Sequence, residues 1–231
     1  MAAEVEGSVL VVGVAHVVDL GAPLRRLLGP RPLDGIAIEL DADRYRALMA
    51  PTGTEDRRGP SPILLRLWAA MQQRLGDELG AGAGAEMKAA ALIAMERQLP
   101  LLLVDDPIRD TLARLLRSLS VKERVTLLAG AVVGLFLPGS LVHDQLEAYR
   151  QQPSNYLEEL RRVMPGVTRV LLDDRNEHMA DRLLEGQRRG LRRLAVVVGD
   201  AHLPGLTQAL QRRGVRVEQV PFSALGAATV P

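Results

Sequence analysis

Six short apolar runs recur along the chain, and each reads as a strand. They are SVLVVG at 8–13, GIAIEL at 35–40, PLLLVD at 100–105, VTRVLLD at 167–173, LAVVVG at 194–199 and VRVEQV at 215–220. The runs are nearly continuous in hydrophobicity, as expected of strands buried on both faces. Amphipathic helical stretches separate them. Strands alternating with helices predict an α/β fold: a mostly parallel central sheet with flanking helices and right-handed crossovers.

The helices carry readable ends. Ser61-Pro62 and Asp106-Pro107 each place a capping side chain before a proline at a helix start. Ser120 followed by Glu123 is a capping-box spacing. Gly186 and Gly190 read as helix stops, and the polar stretch 51–60, PTGTEDRRGP, as a surface loop. The connections are uneven in length. Helical insertions at about 61–98 and 107–164 are expected to form a cap or dimerisation layer on a single domain spanning 1–231.

Residues 125–142, VTLLAGAVVGLFLPGSLV, form an uncharged run near the lower limit for crossing a bilayer. Gly130, Gly134, Pro138 and Gly139 interrupt it, and neither a basic cluster nor an aromatic belt flanks both sides. A buried or dimer-interface helix is the favoured reading over membrane association. The acidic opening MAAEVEG is unlike a signal peptide, which makes the cytoplasm the expected location.

Composition narrows the chemistry. The 231 residues hold 29 Lys and Arg against 28 Asp and Glu, too balanced to attract nucleic acid by charge. One Trp, three Tyr and two Phe are too few for a base-stacking platform. With no cysteine, a thiolate metal site and a cysteine nucleophile are both excluded. His, Asp, Glu, Ser, Thr or Arg must carry any reaction.

In open parallel sheets, ligands bind beyond the carboxyl ends of the strands. The residues ending these runs are polar: His16 after Gly13, Glu39, Asp105-Asp106, Asp173-Asp174-Arg175-Asn176, and His202 after Gly199. In each GxxH tetrad, the glycine is expected to let the backbone turn tightly and the histidine to project over the sheet edge. Two histidines and a glutamate suit Zn, Mn or Co. The same trio can act without metal, with Glu39 as base and a histidine as acid. Arg175 would stabilise an oxyanion or hold a substrate carboxylate. The bland alternative is that each histidine caps a helix or bonds a loop.

Several segments together resemble the TraB/PrgY family. They are GVAHV at 13–17, AIELDADRYRAL at 37–48, GAEMKAA at 84–90, DDPIRDTLARL at 105–115, DRNEHMADRL at 174–183 and VVVGDAHLPGL at 196–206. The resemblance covers nearly the whole chain, in order. It implies kinship with the TIKI metal-dependent peptidases and with membrane-bound pheromone-shutdown proteins. It also implies an active-site set of His16, Glu39, Arg175 and His202, with His16, Glu39 and His202 as ligands of a divalent Mn, Co or Zn ion. Glu86 matches a family motif, with a site role weighed against a surface or packing role. Asp105 and Arg175 are the other candidates for binding substrate. The chain departs from the pattern at Asp106, where the family has arginine.

Other motifs carry less. His178 reads as solvent-facing and His143 as a helix flank. Gly80, Gly82 and Gly84 lack the spacing and the preceding strand of a nucleotide loop. The basic stretch 187–193 reads as a solvated face. The leading expectation is a metal-dependent hydrolase, peptidase-like, acting on a peptide or small molecule. The rivals are a protein that captures a peptide without cleaving it and a scaffold. A homodimer is expected, and a nucleic-acid partner is not.

Overall fold

A computed structural model describes residues 7–14, 20–50, 84–123 and 153–227. These fall into two compact units. The first holds the described residues up to Pro107 and from Asn176 onward; the second is Ile108–Arg175.

The first unit is built on five strands: β1 (Ser8–Val14), β2 (Gly35–Ile38), β3 (Leu101–Leu103), β4 (Arg193–Gly199) and β5 (Arg216–Val220). All pair in parallel, in the order β3-β2-β4-β1-β5. The Val-rich β1 and β4 sit in the interior and align over seven residues, from Ser8 beside Arg193 to Val14 beside Gly199. β2 lies on the other side of β4, with Ile38 beside Val197.

The continuous apolar runs have a plain cause, because both faces of the sheet are covered. On one face, Leu10, Val12, Val14, Ile36, Ile38, Ala195 and Val197 pack with α1 (Gly21–Leu28) and α3 (Ala85–Glu96). On the other, Val9, Val11, Ala37, Leu194, Val196 and Val198 meet α7 (Asp174–Arg188) and α8 (Leu203–Arg212). The chain leaves β2 toward β3 and leaves β4 toward β5, in opposite directions along the sheet. The crevice between β2 and β4 is therefore a topological switch point, where open α/β sheets bind ligands. The short α2 (Ala42–Met49) starts beyond the end of β2, and α9 (Phe222–Ala227) follows β5.

The run VTRVLLD is not a strand. Residues 165–173 form α6 (Pro165–Thr168) and a π-turn (Arg169–Asp173), which continue into α7. Pro165 starts the helix, and no turn residue separates Asp173 from α7. Val167 and Val170 lie three residues apart on one helical face. They pack with Leu115 and Leu119 in the second unit's own core. A short apolar run is compatible with either state, and here its partners are helical. That unit also contains α4 (Ile108–Ser118) and α5 (Pro153–Val163).

The capping box forms as its spacing suggests. Ser120 Oγ accepts from the Glu123 amide at 3.2 Å, and Glu123 Oε2 accepts from the Ser120 amide at 2.9 Å. Glu123 also accepts from Gly166 N at 2.7 Å, which ties this turn to α6. These bonds, led by those from Ser120, hold the Glu123 carboxyl below its ordinary range.

Gly190 adopts a left-handed φ of 100° and ends α7, as a helix stop should. Gly186 does not stop the helix. It lies inside α7, where a Cβ would come within 2.7 Å of Leu102. Among the described residues, no helix is long and apolar enough to cross a membrane. The run 125–142, the Ser61-Pro62 cap, the loop 51–60, His143, Gly80 and Gly82 lie outside the described residues.

Candidate functional site

The β2–β4 crevice is lined by the residues that follow each strand. The ladder continues one step past β2, where Glu39 N donates to Val197 O at 3.1 Å. This fixes the Glu39 backbone beside β4. Its carboxylate turns toward the end of β4, and Oε2 accepts from Gly199 N at 2.7 Å. Beyond Gly199, a 3₁₀ turn (Asp200–His202) carries the chain into α8 and folds His202 back over the sheet edge.

His202 Nε2 lies 3.3 Å from Glu39 Oε1. Its Nδ1 lies 2.8 Å from Asn176 Oδ1. All three residues are buried, at 4% exposure for His202, 7% for Glu39 and 3% for Asn176. With Asn176 Oδ1 as acceptor, the ring hydrogen belongs on Nδ1. A neutral imidazole then turns its Nε2 lone pair toward a carboxylate oxygen. Two electron-rich atoms at that separation call for a proton or a cation between them. Adjacent donors around a tetrahedral ion with bonds of about 2.0–2.2 Å stand about 3.4 Å apart, so this spacing fits a shared divalent ion.

The glycines of the two GxxH tetrads act in different ways: Gly199 ends β4, where the chain turns, whereas Gly13 lies one residue before the end of β1. Neither Gly13 nor Gly199 has a left-handed backbone. Gly13 sits within β1, and its missing side chain makes room for Asp200, since a Cβ there would lie 2.2 Å from Asp200 Oδ1. Asp200 in turn accepts from Phe222 N at 2.9 Å, joining the ends of β1, β4 and β5. Gly199 serves the site through its amide.

A second polar group lies along β2 and β3. Asp41 caps α2 by accepting from the amides of Asp43 at 2.8 Å and Arg44 at 2.9 Å. The Arg44 guanidinium bridges Asp41 and Asp105. Burial pushes the Asp41 carboxyl up, but the Arg44 amide and guanidinium and the Asp43 amide outweigh it, and the net shift is downward. Asp106 Oδ1 lies 3.2 Å from His178 Nδ1. The His178 side chain is partly exposed and also paired.

The sequence candidates separate accordingly. Glu39 and His202 come together. Asp105 is engaged by Arg44. Glu86, in the first turn of α3, is 1% exposed, which rules out a surface position. Arg175 does not end a strand; it lies near the start of α7, where Nη1 donates to Leu171 O at 3.2 Å, and belongs to the second unit. His16 lies outside the described residues, among which no cluster of three or more His, Asp or Glu side chains forms a metal site. Sequence reading assigned no role to Asn176 or Arg44. One signal pointed to Asn176: its place beside Arg175 in the DRNEH segment.

A relative from Methanocaldococcus jannaschii, an uncharacterised protein, is 29% identical over 222 residues. The match covers 90% of this chain and 54% of that protein, so the chain spans about half the length of the curated relative it matches. The family model described as TraB/PrgY/gumN matches residues 2–219, nearly the whole chain with its buried Glu39–His202 pair. The chain belongs to the TraB/PrgY/gumN family.

Proposed function

We propose that the protein is a hydrolase of amide bonds, with peptides as the substrate class, working at the β2–β4 crevice. The observation that carries this reading is the buried Glu39–His202 contact, with the far side of the imidazole held by Asn176. A carboxylate and an oriented imidazole meeting at a switch point are suited to water activation and proton transfer.

A divalent ion, Mn, Co or Zn, would be held by Glu39 Oε1 and His202 Nε2, with His16 as the third ligand by family resemblance. Bound there, it would supply carbonyl polarisation and a more acidic water. The protein's own groups have separate tasks. The Gly199 amide holds one carboxylate oxygen so that the other faces the ring. With an ion held, Glu39 and His202 would act as its ligands; in the metal-free alternative, Glu39 would take the proton of the attacking water and His202 Nε2 would pass it on to the departing amine. Arg175 enters on family resemblance, as a partner for substrate carboxylate or oxyanion.

The experiment is peptide hydrolysis by purified protein supplied with each metal, with and without a chelator. Glu39→Gln should lower the rate by on the order of 10²–10⁴. His16→Ala should lose bound metal. Absence of product with every metal would sink the hydrolase reading.

A second reading is capture of a peptide without cleavage. It draws on Asp106, where a carboxylate paired with His178 replaces the family's arginine and alters the charge beside β3. Stoichiometric binding without product, unchanged in Glu39→Gln, would favour it.

A further inference from the structure

Asn176 is buried near the start of α7 and faces His202 from the opposite side to Glu39. Its amide can reach that position because the third residue beyond His202 is glycine. A Cβ at Gly205 would lie 2.1 Å from Asn176 Nδ2 and 3.1 Å from its Cγ. The segment HLPG therefore supplies both the imidazole and the space for the group that aims it. We infer that Asn176, seated against Gly205, is the positioning residue that keeps hydrogen on His202 Nδ1 and directs Nε2 at Glu39.

Hydrogen-bond roles fix the position of the ring hydrogen. An Asn carbonyl oxygen only accepts, so the ring nitrogen 2.8 Å away must donate. A neutral imidazole has one N–H, and spending it on Asn176 leaves Nε2 as the nitrogen that exchanges a proton or takes a ligand. Without Asn176, Nδ1 loses its acceptor while Glu39 remains beside Nε2, and the neutral ring should move its hydrogen to Nε2. The lone pair would then face away from Glu39. The functional weight of Asn176 rests on the proposed reacting pair, whereas the position of the ring hydrogen does not.

The test is ¹⁵N NMR of the histidine rings in metal-free protein, with His202 assigned by the loss of its signals in His202→Gln. In the wild type, the neutral ring should show Nδ1 at the shift of a hydrogen-bearing nitrogen and Nε2 at that of a bare one. Asn176→Leu should move the neutral ring to the Nε2–H form. Asn176→Asp, which keeps an acceptor, should retain the wild-type pattern. Gly205→Ala, which changes none of the three interacting residues but crowds the Asn176 amide away from the ring, should mimic Asn176→Leu. Titration with Zn²⁺ gives a second readout, with affinity on the order of 10–100-fold weaker in Asn176→Leu and Gly205→Ala. A wild-type ring with bare Nδ1 overturns the inference, with no variant required, and so does a wild-type pattern in folded Asn176→Leu. Failure of Zn²⁺ to bind the wild type would count against the metal in the proposed function and leave the NMR result to decide the role of Asn176.

Discussion

At the scale of single residues, close approach governs this site more than backbone freedom does. Gly13 and Gly205 each stand where a side chain would collide with a polar group, Asp200 in one case and Asn176 in the other. Gly13→Ala should therefore displace Asp200 and strain the junction of β1, β4 and β5. We expect a loss of about 1–3 kcal/mol, typical of overpacking, read by urea denaturation. Undiminished stability would mean that Asp200 can swing aside at no cost. The tetrads were visible in the sequence, but the reason for Gly13 was not. A GxxH spacing says nothing of which carboxylate leans on the glycine, because Asp200 and Gly13 are far apart in the chain.

At the scale of elements, α8 shows how a helix and the site depend on each other. Leu203, Leu206, Ala209 and Leu210 fall at helical spacing and bury one face against Val196 and Val198. His202 stands at the head of that helix, so the packing of α8 sets the imidazole's place. Burial of each leucine contributes about 1.5–3 kcal/mol, and removing one also leaves a cavity. Leu206→Ala should cost about 2–5 kcal/mol in chemical denaturation. A cost under 1 kcal/mol would show that the core collapses around the gap. The 167–173 segment teaches the opposite lesson about elements. Its Val and Leu content reads as strand, yet Leu115 and Leu119 offer a helical partner and no flanking turn releases the chain from α7. Local preference lost to tertiary packing there, and Arg175 moved with it from a strand end to a helix start.

At the scale of the molecule, charge pairs tie together distant parts of the first unit. Asp34 pairs with Arg193 and Glu218 with Arg31. Each carboxyl is held below its ordinary range, chiefly by side-chain hydrogen bonds from its arginine. Asp41 is depressed as well. A carboxyl whose folded value is depressed stabilises the fold fully above its unfolded value. That contribution is lost as the pH falls through the folded value. Melting temperature should therefore hold near neutrality and decline below about pH 4, where free carboxylates begin to protonate. Asp41→Asn should flatten this acid limb, and an unchanged limb would remove Asp41 from the account. The exposed pairs are worth little each, and added salt should weaken them first.

Hydrophobic runs and glycine-histidine tetrads were enough to establish an α/β chain with a parallel sheet and to single out Glu39 and His202. Those features are local, since a strand covered on both faces must be apolar throughout and a rim residue must follow a strand. Tertiary structure alone decided that β2 and β4 are neighbours, which brings Glu39 within 3.3 Å of His202. It also decided that Asn176 backs the imidazole, that Arg44 holds Asp105, and that 165–173 is helical. Strand order and side-chain partnership depend on contacts between residues as far apart as Ser8 and Arg216, and no local pattern encodes which distant segment will fill a given space.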